Sequence, residues 1–139
     1  MPAVRRFGVS MSSDLLRAFD RLIKRKGYKN RSEAIRDIVR DLLVRNEWEE
    51  SDQEVMGAVT LLYDHETGHV PETLTDLQHR QHDAIVCSTH VHMDQHNCLE
   101  TIVVRGTSRV VRTIADQLLS TRGVKHGGLV STSTGRTLP

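Results

Sequence analysis

Histidine and cysteine residues are concentrated in one short stretch of the chain, LQHRQHDAIVCSTHVHMDQHNCLE, residues 77–100. Five of the eight histidines and both cysteines lie within it. Imidazole nitrogens and thiolate sulfurs are ligands that zinc, nickel and copper accept in proteins. The stretch therefore predicts a transition-metal site rather than a set of residues needed for packing.

The spacing H-x-H-x5-C supplies three candidate ligands, His90, His92 and Cys98. Residues two apart on a strand point to the same face, so His90 and His92 converge if AIVCSTHVHM is a strand. The short connection MDQHN lets a hairpin return Cys98 toward them. Three ligands leave a four-coordinate metal one donor short.

Cys87 alternates with these histidines and is expected on the opposite face of the strand, with Ile85, as a buried core thiol. Two further histidines, His79 and His82, precede the strand, whose length of roughly 25 to 30 Å separates them from His92. We therefore expect a neighbouring subunit to donate the fourth ligand, through packing of the uncovered sheet faces of two dimers. Ligand types alone leave zinc, nickel and copper open.

The segment around this stretch alternates between strand and helix patterns. Strands are predicted at EVMGAVTLLYD, DAIVCSTHVHM, CLETIVVRG and VKHGGLVSTST. Helices are predicted at VPETLTDLQHR and SRVVRTIADQLLSTRG. The resulting order β-α-β-β-α-β is that of the ferredoxin-like fold, which small regulatory ligand-binding domains also use.

The first third of the chain differs from the rest in charge. Up to Asn46 there are twelve basic and five acidic residues, whereas the remainder has seven basic and thirteen acidic residues and all eight histidines. We interpret residues 49–54 as a linker between a domain at 1–48 and a domain at 55–139. A net charge of +7 on so short a segment favours a polyanionic partner.

The basic segment predicts one strand followed by two helices. RRFGVSM alternates apolar and polar residues, Ser12 is placed to cap the first helix, and Gly27 is placed to end it. Asn30 is placed to cap the second helix, with Glu33 three residues on as in a capping box. A segment of this size cannot bury its apolar faces alone and therefore needs a twin.

Two chains can satisfy this need by pairing their first strands into an antiparallel ribbon, with Phe7, Val9 and Met11 turned toward the helices. Such a ribbon fits the major groove of DNA, where arginine can bond guanine through two hydrogen bonds. This pattern resembles the ribbon-helix-helix family of DNA-binding proteins. The candidate DNA contacts are Arg6, Gly8 and Ser10 on the ribbon, and Asn30, Arg31 and Ser32 at the start of the second helix, which would meet phosphate.

Three motifs, NRSEAIRD, STHVHMDQHNCLE and RGVKHG, together resemble the nickel-responsive regulator (NikR) family of repressors, from Arg6 to about Arg136. The resemblance implies one square-planar Ni²⁺ per chain and a homotetramer, a dimer of dimers. It also implies a carboxylate that hydrogen-bonds within the ligand shell, and a weaker cation site. The implied residues are the nickel ligands His90, His92 and Cys98 with His79 of the facing subunit, Glu100 in the ligand shell, and Glu33 and Asp37 at the weaker site.

These features predict an α+β protein, a dimeric ribbon-helix-helix domain followed by a ferredoxin-like domain, that acts as a nickel-dependent repressor. It would bind palindromic double-stranded operator DNA when nickel occupies the intersubunit site, and so control nickel uptake in the cytoplasm. The alternative is a ribbon-helix-helix regulator that responds to another metal or to a small molecule such as an amino acid. An enzyme is disfavoured because a closed four-ligand site leaves no open position. The sequence contains no run of 18 apolar residues, so no membrane span is predicted. His82 is expected to be solvated, and Gly8 has no side chain to read a base.

Overall fold

The structure is a computed structural model that describes residues 2–50 and 52–139. Its internal contacts divide the chain into two compact units, the first ending at Val39 and the second running from Arg40 to Pro139. Ser51, within the predicted linker, and Met1 lie outside the described residues. Among the described residues, no helix is long and apolar enough to cross a membrane.

Two helices with defined caps dominate the first part of the chain. Helix α1 spans Ser13–Arg25, and the Leu15 N–H donates to Ser12 Oγ at 3.3 Å. Gly27 then adopts a positive φ of 87°, which favours glycine, and helix α2 spans Arg31–Glu49. The Glu33 N–H donates to Asn30 Oδ1 at 2.9 Å. The predicted caps and helix stop are therefore confirmed.

The predicted N-terminal strand is absent from the single chain. Residues 2–12 have no strand pairing, and the side chains of Phe7, Val9 and Met11 are 76%, 61% and 41% exposed. A strand forms only when its backbone N–H and C=O groups find a partner, and the predicted partner is the same strand of a second chain. The strand thus remains a prediction for the dimer.

The second unit contains one four-stranded sheet with two helices. The elements that follow α2 are β1 (Glu54–Asp64), α3 (Val70–Arg80), β2 (Ile85–His92), β3 (Asn97–Thr107), α4 (Ser108–Leu119) and β4 (Val124–Ser133). All paired strands are antiparallel, in the order β2-β3-β1-β4. This is the predicted β-α-β-β-α-β order, so the α+β fold with a ferredoxin-like domain is confirmed.

One face of the sheet is buried beneath α3 and α4. Alternate residues of β1 and β3 are buried, and apolar residues of both helices pack onto them. Trp48, near the end of α2, joins this core and donates from Nε1 to the carbonyl oxygen of Thr132 at 2.8 Å. The end of α2 therefore belongs with the second compact unit, whereas the sequence division placed residues up to 48 in the first domain. The buried set includes Val55, Val59, Leu61, Tyr63, Val70, Leu74, Cys98, Ile102, Val104, Val111, Ile114, Ala115 and Leu118.

The pairing of β2 with β3 contains a register shift between Ile85 and Cys87. Ile85 lies across from Val104, while Cys87 lies across from Val103, the next residue along β3. An extra residue in one strand reverses the faces of everything beyond it. Ile85 and Cys87 thus occupy opposite faces, and Cys87 is exposed. The prediction of a buried core thiol at Cys87 was wrong.

Candidate metal centre

The register of β2 and β3 places the predicted ligands on one face of the sheet edge. His92 lies directly across from Cys98, and His90 lies directly across from Glu100. Residues directly opposite in an antiparallel pair have side chains on the same face. Cys98 and Glu100 are buried, so this face is the one that α3 and α4 cover. The expectation that the histidines lie on the uncovered face was therefore wrong, for the same reason as for Cys87.

The distances among these ligands suit a shared metal ion. The Cys98 Sγ atom lies 3.4 Å from His92 Nδ1. Metal bonds of about 2.3 Å to sulfur and about 2.0 Å to nitrogen would separate the two donors by about 3.1 Å at a right angle, or about 3.5 Å at a tetrahedral angle. The imidazole rings of His90 and His92 have centroids 5.0 Å apart. His92 and Cys98 are therefore close enough to share a metal ion, whereas His90, across from Glu100, is not among the described residues whose ligand atoms lie within 4.8 Å of both.

His65, which follows β1, also belongs to this cluster. Its Nδ1 atom lies 3.4 Å from Cys98 Sγ, and its ring meets that of His92 edge-on with centroids 5.4 Å apart. Single ligand atoms of His65, His92 and Cys98 all lie within 4.8 Å of one another. Sequence reasoning missed His65 because its position depends on the pairing of β1 with β3, where Tyr63 lies across from Cys98. The sequence signal that could have identified His65 is its position two residues after Tyr63, once Tyr63 is known to pair with Cys98.

His79 and His82 lie apart from this cluster. Within the described residues, neither histidine belongs to a group that could hold a metal. His82 is exposed, and its Nε2 atom lies 3.1 Å from Asp83 Oδ1. His79 is exposed near the end of α3, directly after Gln78, whose side chain is directed to Glu100. Successive helix residues diverge by about 100°, so the His79 side chain leaves the helix in another direction.

Glu100 forms a buried hydrogen-bond network behind the ligands. Its Oε1 accepts from the Tyr63 hydroxyl at 2.9 Å, and its Oε2 accepts from Gln78 Nε2 at 2.7 Å and from Ser88 Oγ at 2.9 Å. Burial, and next the hydrogen bond to Glu100, raise the pKa of Tyr63, so that its hydroxyl remains a donor. The carboxylate ties α3 to the strand that carries His90, but its three donors are not predicted metal ligands, so its role in the ligand shell stays a prediction.

The surroundings of the Cys98 thiol disfavour its thiolate form. Burial, and then the nearby carboxylates of Asp64, Glu100 and Asp94, raise the pKa of Cys98. A metal ion binds the thiolate, so it must displace the thiol proton on entry. Metal affinity at this cluster should consequently increase with pH.

The candidate DNA contacts are accessible in the structure. The ribbon positions Arg6, Gly8 and Ser10 are exposed, as are Asn30, Arg31 and Ser32 at the start of α2. Arg31 also pairs with Asp20 through two contacts of 2.8 Å, which holds its guanidinium beside α1. A phosphate at this helix start would compete with Asp20 for Arg31.

The two carboxylates of the expected weaker cation site lie on one side of α2. Asp37 Oδ2 accepts from the Tyr28 hydroxyl at 2.8 Å. Across the part of the chain that the structure describes, Glu33 and Asp37 are not joined by a third residue in a group that could hold a metal. Any cation there would need further ligands from backbone, water or another chain.

The second unit has a sheet with two helices on one face and, at the edge of the sheet, the group His65, His92 and Cys98, called here the His–Cys cluster. These features are typical of a metal-binding domain. The basic pair of helices that precedes it is typical of a DNA-binding domain. Comparison with known families agrees. Residues 56–132 match the NikR C-terminal nickel-binding domain, and residues 5–46 match the ribbon-helix-helix protein, copG family. The chain belongs to the nickel-responsive regulator family. That family consists of regulators, in agreement with the prediction that the chain is not an enzyme.

Relatives in archaea and bacteria match almost the whole chain. A protein of Thermococcus onnurineus is 56% identical over 97% of this chain and 98% of its own length. One of Caldanaerobacter subterraneus subsp. tengcongensis is 51% identical over 99% and 90%, and one of Geobacter sulfurreducens is 54% identical over 96% of each. Each is named as a candidate nickel-responsive regulator. A solved structure of an uncharacterized Thermotoga maritima protein has a TM-score of 0.51 at 11% identity, covers 57% of this chain and 98% of that chain, and shows the fold alone.

Proposed function

We propose that this protein is a nickel-dependent repressor that binds palindromic operator DNA when nickel occupies a site shared between two subunits. One Ni²⁺ per chain, a homotetramer built from two dimers, and control of nickel uptake in the cytoplasm complete the proposal. The observation that carries it is the approach of Cys98 Sγ to His92 Nδ1 at 3.4 Å, with the His90 ring 5.0 Å from the His92 ring, in a chain that also has a basic helical segment.

Nickel is favoured by the ligand types together with the family. A thiolate with two or three imidazoles suits a square plane, a geometry that Ni²⁺ and Cu²⁺ adopt. The family to which the chain belongs is defined by a nickel-binding C-terminal domain. A regulator that responds to an amino acid would leave the His–Cys cluster without a role, so the nickel proposal is preferred.

The fourth ligand distinguishes two arrangements of the site. His79 of the partner subunit would make the site bridge two chains, whereas His65 would close it within one chain. The side chain before His79 is committed to Glu100 within its own subunit, so His79 leaves α3 in another direction and is free to reach outward. Glu100 would then hold both the donor helix and the strand of His90 in place. We therefore assign the fourth position to His79 of the partner subunit.

Nickel titration with absorption spectroscopy tests the ligand set. Wild-type protein should bind one equivalent per chain with a thiolate-to-metal charge-transfer band. Cys98→Ser should lose the band, and Cys87→Ser, the matched thiol on the other face, should retain it. If the Cys98→Ser protein keeps the band, the assignment of the ligands fails.

DNA recognition is assigned to the paired N-terminal strands. Arg6 and Ser10 would face base edges, Gly8 would allow close approach, and the N–H groups of residues 30–32 would meet phosphate. Loss of one such arginine typically costs about 1 to 3 kcal/mol of specific binding. Arg6→Ala should therefore weaken operator binding by that amount and leave nickel affinity unchanged. Arg5→Ala removes the same charge at a position out of phase with Arg6 and should affect mainly non-specific, salt-sensitive binding.

Nickel would act on DNA binding without touching the bases. A ligand shifts an equilibrium only by binding one arrangement of the protein more tightly than another. A site shared between subunits would favour the arrangement in which α3 of one chain and β2 of the other are held together. Gel-shift titrations of His92→Ala should then show weak binding that nickel does not strengthen. Nickel-stimulated operator binding in that variant would place the sensor elsewhere.

A weaker cation at Glu33 and Asp37 is included in the proposal for the DNA-bound form. Carboxylates four residues apart on a helix repel each other by about a few tenths of a kcal/mol, and the alternative to a bound cation is neutralisation by Arg36 or Arg40 on the same helix. The Glu33→Gln, Asp37→Asn double variant should reduce operator affinity in a way that added K⁺ or Mg²⁺ does not reverse. Unaltered affinity in this variant would remove the site from the account.

A further inference from the structure

Three side chains with metal-binding chemistry lie beside the His–Cys cluster but outside it. They are Asp64 at the end of β1, Glu66 two residues later, and His96 in the turn between β2 and β3. One ligand atom of each lies within 4.8 Å of the other two. They share no ligand atom with the His–Cys cluster, although both groups occupy the same end of the sheet.

The backbone holds the two segments of this group together. Asp64 pairs with Asn97 in the β1–β3 ladder, and the His65 N–H donates to the carbonyl oxygen of His96 at 2.9 Å. The Glu66 N–H donates to Asp64 Oδ1 at 2.9 Å, which orients that carboxylate. Strand pairing and backbone hydrogen bonds therefore hold Asp64, Glu66 and His96 near one another.

The charges in this group are unbalanced. His96 Nδ1 lies 2.9 Å from Glu66 Oε2, and a protonated imidazole would neutralise one of the two carboxylates. The backbone hydrogen bond from Glu66 and, more weakly, the charge of Lys125 lower the pKa of Asp64. The Lys125 ammonium itself donates to Asn97 Oδ1 at 2.6 Å. As a simple ion pair, the exposed His96–Glu66 contact would contribute little to the stability of the fold. A divalent cation could neutralise both carboxylates and use the imidazole as a third ligand.

We propose that Asp64, Glu66 and His96 form a second, exchangeable site for a divalent cation. Two carboxylates and one imidazole without sulfur suit Mn²⁺, Co²⁺, Ni²⁺ or Zn²⁺, with affinity rising from Mn²⁺ through Co²⁺ to Ni²⁺. Glu66 and His96 are more than half exposed, so water would fill the remaining positions and the ion would exchange readily. Its three ligands are distinct from His65, His92 and Cys98, although the two sites are neighbours, with Glu66 Oε1 4.0 Å from His65 Nε2.

Manganese binding to nickel-loaded protein tests this site. The full chain would first receive one equivalent of Ni²⁺ and then be titrated with Mn²⁺, with free Mn²⁺ followed by its electron paramagnetic resonance signal. Mn²⁺ lies at the weak end of the series and should not displace nickel from a thiolate site. We expect one Mn²⁺ per chain. His96→Ala and Glu66→Gln should each weaken this binding by about tenfold or more, since loss of even an outer-shell partner costs about 10- to 100-fold.

His82→Ala is the matched control, because His82 is another exposed histidine beside a carboxylate but has no third ligand. It should bind Mn²⁺ as wild type does. The same titration of Cys98→Ser without nickel keeps the test separate from the nickel site and should give the same result. Mn²⁺ binding that is absent in wild type, or that is unchanged in both His96→Ala and Glu66→Gln, would overturn the proposal. Loss of binding in Glu33→Gln instead would place the ion on α2 and overturn it as well.

Discussion

Removal of the Glu100 carboxylate should destabilise the metal-free protein while leaving its sheet intact. Glu100 is 6% exposed and accepts hydrogen bonds from Tyr63, Gln78 and Ser88. In Glu100→Ala, water can reach Gln78 and Ser88, but the buried Tyr63 hydroxyl loses its partner. An unsatisfied buried donor costs about 1 to 3 kcal/mol, and lost bonds to a charged acceptor add to this. We expect the free energy of unfolding to fall by about 2 to 3 kcal/mol.

Glu100→Gln separates the loss of hydrogen bonds from the loss of charge. The new amide oxygen can accept from Tyr63, the Gln78 amide can flip, and the Ser88 hydroxyl can accept instead of donate. The network therefore survives without its charge-assisted bonds, and the expected cost is about 1 kcal/mol. The ranking of the two variants follows from geometry alone.

Urea denaturation of metal-free protein at one fixed protein concentration measures both variants, because the stability of an oligomer depends on concentration. Glu54→Ala provides the control: it removes a half-exposed carboxylate that pairs with Arg105 on the neighbouring strand, and should cost less than about 1 kcal/mol. If Glu100→Ala is as stable as Glu54→Ala, the buried network does not hold α3 and β2 together, and the reasoning fails.

Three further perturbations have defined outcomes. Gly127→Ala should destabilise the protein by about 1 to 3 kcal/mol, because the added Cβ would meet the Thr60 carbonyl and Leu119. Gly128→Ala, whose Cβ would meet nothing within 4 Å, should not, and thermal melts of both variants test the difference. In metal-free protein near neutral pH, iodoacetamide should modify the exposed Cys87 and spare Cys98, whose buried thiol has a raised pKa. Mass spectrometry after brief labelling measures this, and modification of Cys98 before Cys87 would contradict it. Hydrogen bonds from the Asn97 side chain and from backbone N–H groups lower the pKa of Asp94 to about 2, so the contribution of Asp94 to stability is present above about pH 4 and is lost as pH falls toward 2. Asp94→Asn should therefore lose less stability across this pH range than wild type. Equal slopes of melting temperature against pH for the two proteins would refute this.

Local signals were sufficient for most of the fold. The caps at Ser12 and Asn30 and the order of strands and helices could be predicted because they depend on neighbouring residues and on hydrophobic period. The face of Cys87 could not, because one extra residue at the start of β2 reverses it and only the pairing with β3 reveals that residue. The strand at Phe7 is missing from the single chain and stays a prediction, because its predicted partner is the same strand of another chain.

The candidate site divides in the same way. The approach of His92 to Cys98 could be predicted from spacing because the two residues lie on one hairpin, directly across from each other on adjacent strands, whereas His90 as a ligand stays a prediction. His65 was missed because a pairing between distant strands brings it to Cys98. The roles of His79 and of Glu33 and Asp37 came from resemblance, and they remain predictions because they depend on groups outside a single chain.

The most direct measurement of the central claim is complementation between two nickel-site variants. His79→Ala chains retain His90, His92 and Cys98, and Cys98→Ala chains retain His79. If the site bridges subunits, assemblies that contain both variants should regain the wild-type nickel spectrum and affinity at those sites where a His79→Ala chain faces a Cys98→Ala chain, although neither variant shows them alone. If the mixed assemblies give only the sum of the two parent spectra, the metal is bound within one chain, with His65 as the fourth ligand to test, and the account of nickel as a link between subunits is wrong.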